Sequence, residues 1–117
     1  MAGAKIDAGK WRFALADARK MPLPPGRRSA AVFSHGTLDV RHYAPRGTDP
    51  QTPHDQDEVY IVERGTGTFE VAGSRVPFGP DDVLFVPAHV EHRFVDFSDD
   101  FETWVIFYGP KGGEAKS

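Results

Sequence analysis

The chain has 117 residues, a single-domain length with room for one hydrophobic core and not for a second domain. Its composition, 39% hydrophobic and 26% charged, is ordinary for a globular protein, while 12 glycines and 10 prolines imply many turns rather than a helical bundle. A net charge of −3 gives no general attraction to nucleic acid or to an anionic membrane, so a small molecule is the expected partner, and the lack of cysteine excludes disulfides, thiolate metal sites and cysteine nucleophiles.

The first residues, MAGAKIDAGKWRF, hold no apolar stretch of signal-peptide length, and no segment approaches the roughly 20 apolar residues of a membrane span, so the cytoplasm is the expected compartment. Residues 1–28 read as an N-terminal arm. Within it ALADARK is weakly helical, and MPLPPG at 21–26 breaks whatever precedes it. From Ser29 onward, β-branched and aromatic runs alternate with Gly or Pro: AAVFS, TLDVRHY, EVYIVE, GTFEVAG, SRVPFG, DVLFVP, HRFVDF and FETWVIFYG. Short runs so closely spaced, with no helical pattern between them, predict an all-β fold, an antiparallel β-barrel or jelly roll spanning 29–109. The links GTG at 65–67 and AGS at 72–74 are short enough for hairpins, and residues 110–117 read as a flexible tail.

The segment TPHDQDEVYIVERG at 52–65 places His54 four residues before Glu58. On a helix the two would share a face, but Pro53 precedes the histidine and VYIV follows the glutamate, which favours β structure. On a straight strand they would lie about 13 Å apart, at roughly 3.3 Å per residue, too far to share a metal ion held at about 2 Å. If they act together, the chain bends between them, and the polar DQD of 55–57 suits a bend.

These residues resemble the cupins. GTDPQTPHDQDEVYIVERG is similar to the first cupin motif, with Glu58 followed by six residues and Gly65, and GPDDVLFVPAHVEHRFVD is similar to the second, with Pro87, His92 and Asp96. The resemblance covers roughly residues 29–109. Two positions depart from the pattern: Thr52 stands where the first motif has its first histidine, and His89 where the second has a glycine. What the resemblance implies is a 2-His-1-carboxylate set, His54, Glu58 and His92, holding one divalent ion of Fe, Mn, Ni or Zn. Such a set leaves about three positions open on an octahedral ion. Gln56 is an alternative ligand if the strand runs straight on from His54.

Plainer roles stand beside these. His54 and His92 would then be hydrogen-bonded histidines of the barrel, and Glu58 would pair with Arg41 or Arg93. His89 reads as an exposed loop residue, His35 and His42 as structural, and Asp99, Asp100 and Glu102 as a solvated acidic loop. By strand parity Tyr60 points the same way as Glu58, and Phe94 the same way as His92, so both line the expected pocket, with Tyr43, Arg41 and Arg93 as polar contacts for a substrate. Trp104 and Phe107 fall on opposite faces of the last strand, so only one is interior. Three function classes follow: a metal-dependent dioxygenase, isomerase or lyase; a non-catalytic small-molecule binder or sensor with a weak metal site; and a protein-interaction module. A homodimer, formed through sheet edges or the N-terminal arm, is expected.

Overall fold

The computed structural model describes residues 11–23, 25 and 28–115. Each of the eight apolar runs forms a strand: β1 (Ala30–His35), β2 (Leu38–Tyr43), β3 (Asp57–Arg64), β4 (Gly67–Val71), β5 (Ser74–Phe78), β6 (Val83–Val86), β7 (His92–Val95) and β8 (Glu102–Tyr108). All pairings are antiparallel. The strands form two sheets, one of order β1-β2-β8-β3-β6 and one of order β5-β4-β7. The architecture is therefore a jelly roll whose sheets face each other across a core, without closing into one hydrogen-bonded barrel.

Strand alternation builds that core. In β3, Glu58, Tyr60 and Val62 are buried while Val59 and Ile61 are half-buried on the other side. Tyr60, Val62, Val86, Val105 and Phe107 from the larger sheet meet Phe69, Phe78 and Phe94 from the smaller one, with Phe101 beneath them. Phe94 is the hub, within 5.4 Å of the ring centres of Tyr60, Phe69, Phe78 and Phe101. Burying a side chain of this size contributes about 1.5–3 kcal/mol. As parity requires, Phe107 joins this interior, while Trp104 lies on the outer face of the larger sheet.

That outer face carries a second, smaller cluster. Val32 and Val40 meet Ala18 of a single-turn helix, α1 (Leu15–Ala18), and Phe13 stacks on Phe33 with ring centres 4.1 Å apart. The helical part of the arm thus packs back on the sheet, and the remainder of 1–28 lies largely outside the described residues. No helix among the described residues is long and apolar enough to cross a membrane.

Two expectations are corrected. The 65–67 link is not a hairpin, because β3 and β4 belong to different sheets. Gly65, at φ +91°, turns the chain so close to Phe101 that a Cβ would lie 2.5 Å from its Cα. The 72–74 link is the true hairpin, with Ala72 and Gly73 both at positive φ and Val71 facing Ser74. Glu102 is not solvated: it opens β8, is 5% exposed, and binds Arg19 and His42, whereas Asp99 and Asp100 are exposed. The start of the C-terminal segment contacts the domain, Gly112 N donating to Asp55 O and Glu114 N to Asp57 Oδ2.

Candidate metal centre

Glu58 comes from β3 and His92 from the first position of β7, both on the inner side. His54 precedes β3. The chain bends at 55–56 before the strand begins, so a residue four positions from Glu58 returns beside it. The bend is held from both sides: His89 N donates to His54 O at 2.6 Å, and Gln56 Nε2 donates to Gly109 O at 2.9 Å. One ligand atom from each of His54, Glu58 and His92 lies within 4.8 Å of the others.

Two of those atoms face each other without satisfaction. His92 Nε2 and Glu58 Oε1 are buried and 3.2 Å apart, an ion-pair distance, yet they are not aligned as a hydrogen bond and neither has another partner among the described residues. Leaving such atoms unmatched costs about 1–3 kcal/mol each. His92 Nδ1 donates to the Val90 carbonyl at 2.8 Å, and since a carbonyl only accepts, Nε2 is the ring atom that faces Glu58 and the centre, as a lone pair whenever the ring is neutral. A carboxylate and an imidazole lone pair converging in a buried space form a donor set that fits a divalent cation. Burial opposes charge on His92, but Glu58, the Val90 carbonyl and Asp49 outweigh it and raise its pKa above the usual imidazole value.

Behind the triad lies a polar network that sequence reasoning missed. Asp49, 5% exposed, accepts from Phe94 N at 2.7 Å, from Gln51 Nε2 at 2.6 Å and from the Tyr43 hydroxyl. With its nitrogen committed there, Gln51 turns its oxygen toward the site, where it accepts from Tyr60 OH at 3.1 Å and lies 3.3 Å from His54 Nε2. Gln51 is thus the amide beside the cluster. Gln56 does not line the cavity, and its amide nitrogen donates to the Gly109 and Thr37 carbonyls instead.

The cavity in front of the cluster, about 190 Å³, is lined by His54, Glu58, Tyr60, Tyr43, Gln51 and Val105 among others. Tyr43 and Tyr60 reach it as expected; Phe94 and Arg41 do not line it. Phe94 is sealed among the other rings, and Arg41, fully buried, spends its guanidinium on Ser29 and Asp39. Burial foremost, with nearby carboxylates, raises both tyrosine pKa values far above the ordinary 10.0, so both phenols stay neutral.

Residues 39–107 match the family model of the cupin domain. The chain belongs to that family. Among curated proteins, this cupin is 39% identical over 64 residues to an uncharacterized protein of Streptomyces coelicolor, covering 55% of this chain and 61% of that one. It is 32% identical over 77 residues to the HTH-type transcriptional activator RhaS of Yersinia pestis, covering 66% of this chain and 28% of the activator. The chain thus spans less than two thirds of either relative. Among solved structures, a protein of unknown function from Rhizobium leguminosarum superposes with a TM-score of 0.66 at 24% identity, covering 86% of this chain and 98% of that one.

Proposed function

We propose that this cupin binds one divalent metal ion through His54, Glu58 and His92 and takes a small organic molecule in the adjoining cavity. The observation that carries this reading is the pair of buried, unsatisfied ligand atoms, Glu58 Oε1 and His92 Nε2, which a shared cation satisfies together. When bound, the ion supplies Lewis acidity toward a ligand oxygen, or, if it is iron, the redox chemistry of a dioxygenase. The protein's own residues do the rest. The Val90 carbonyl fixes the His92 tautomer, and Gln51 steadies His54 and the Tyr60 hydroxyl. Val105 and Phe107 present an apolar wall to the ligand.

Binding without turnover is the second reading. It is favoured by the replacement of a third histidine with Thr52, and by the likeness to part of a transcriptional activator. The test is metal content by plasma mass spectrometry after purification without chelators, in the parent and in folded His54→Ala, Glu58→Gln and His92→Ala variants. Near-stoichiometric metal in the parent, lost in the variants, is expected. A parent that stays empty after incubation with Fe(II), Mn(II), Ni(II) and Zn(II) overturns the proposal.

A further inference from the structure

Among the described residues, the cavity wall carries one arginine and no lysine. Arg28 lines the same cavity as His54 and Glu58, is exposed, and forms no ion pair among the described residues. We propose that Arg28 is the anchor for a carboxylate on the ligand, so that the cavity takes small organic monoacids with an apolar body. The anchor extends the metal-centre reading, on which it rests only for the opposite end of the ligand.

Arg28 is held in place from below. The neighbouring Ser29 accepts from Arg41 twice, its hydroxyl from Nε at 2.6 Å and its carbonyl from Nη2 at 2.7 Å, and Arg41 is fully buried. A buried planar fork pinning the adjacent residue fixes the backbone that presents Arg28. The guanidinium is near enough to the Tyr43 hydroxyl to favour its ionisation, although burial and Asp49 prevail there.

The carboxylates already near the cavity are engaged elsewhere. Both oxygens of Asp49 are taken by Tyr43, Gln51 and Phe94 N, and Glu58 faces His92. With a divalent ion at the triad, the charge around the cavity is positive, which suits an anion. The Tyr43 and Tyr60 hydrogens are also committed, to Asp49 and Gln51, so neither phenol donates to a ligand while those bonds hold. Among the described lining residues, the donors that remain for an anionic oxygen include the Arg28 guanidinium and the Thr52 and Ser29 hydroxyls. Val105 and Phe107 on the same wall favour an organic acid over an inorganic anion.

The experiment uses the full chain, both metal-loaded and chelator-stripped, with benzoate, cyclohexanecarboxylate and 2-oxobutyrate as probes, each beside its neutral amide. Affinities are read by calorimetry and by ligand-observed NMR for the parent, Arg28→Gln and Arg28→Lys. At least one acid is expected to bind while its amide binds at least tenfold more weakly. Arg28→Gln should lose at least tenfold in affinity for the acid, and Arg28→Lys should fall between them, with metal content equal in all three. Equal acid affinity in the parent and Arg28→Gln, equal binding of acids and amides, or no acid binding overturns the anchor. Metal content separates the two proposals: an Arg28-dependent preference for acids in a protein that takes up no metal overturns the metal centre and leaves the anchor standing.

Discussion

Asp49 joins three parts of the chain that are distant in sequence, the loop before β3, the end of β2 and the backbone of β7, through one carboxylate. Replacing it with alanine leaves three donors without that acceptor, two of them buried, and hydrogen bonds to charged groups contribute about 1.5–3 kcal/mol each, with neighbours in one network not additive. Asp49→Ala is therefore expected to lose about 3–5 kcal/mol in urea denaturation. Asp49→Asn should lose less, because one amide oxygen still accepts while its NH₂ meets a donor. A loss below about 1 kcal/mol for the alanine variant would show that water replaces the carboxylate. Neither Asp49 nor Gln51 was legible in GTDPQTP, since the role of Asp49 depends on a strand more than 40 positions away and that of Gln51 depends on Asp49. His54, Glu58 and His92 were legible as a set because their spacing resembles a family pattern, and Tyr60 because strand parity follows from sequence alone. Arg41 was misjudged as a substrate contact because parity tells the face of a strand and not what already occupies it.

At the scale of elements, the N-terminal segment is fastened to the large sheet by Glu102. Its carboxylate accepts from Arg19 Nη2 at 2.8 Å and lies 2.9 Å from His42 Nε2. The Arg19 hydrogen bond first, then His42, hold its pKa at about 2 against an ordinary 4.5, with burial opposing them. The folded value is below the unfolded one, so the stabilisation is present above pH 4.5 and is lost as pH falls through about 2. Parent and Glu102→Gln are thus expected to differ most in unfolding midpoint above pH 5 and to converge near pH 2. A gap independent of pH would assign the effect to packing instead. The acidic run DDFE gave no sign of this contact, because charge runs are read as solvated faces and the partners, Arg19 and His42, lie on other elements. The eight strands themselves were legible, since period-two alternation is local. The 65–67 crossing was not, because a short glycine link reads the same whether its strands pair or part.

Over the whole molecule, the candidate centre sits between the two sheets: Glu58 belongs to the five-stranded sheet and His92 to the three-stranded one. An ion bound there ties the sheets together and binds only the folded chain, so it stabilises by mass action, about 2.7 kcal/mol at a free concentration of 100 Kd. For a domain of this size that corresponds to a rise of roughly 10 °C in Tm. The rise should grow with the logarithm of metal concentration in scanning calorimetry, after chelator stripping, and should be absent in Glu58→Gln and His54→Ala. The same variants distinguish function from stability at the site. At alkaline pH, where the His92 ring is neutral, Glu58 Oε1 and His92 Nε2 are unsatisfied together in the apo chain, so removing the carboxylate's charge should leave the apo Tm of Glu58→Gln at or above the parent's. Metal would then raise the parent past the variant. A parent already more stable than Glu58→Gln in the presence of chelator would show that the Glu58–His92 contact is itself a net stabilising ion pair, and the orphaned atoms would no longer argue for a cation between the sheets.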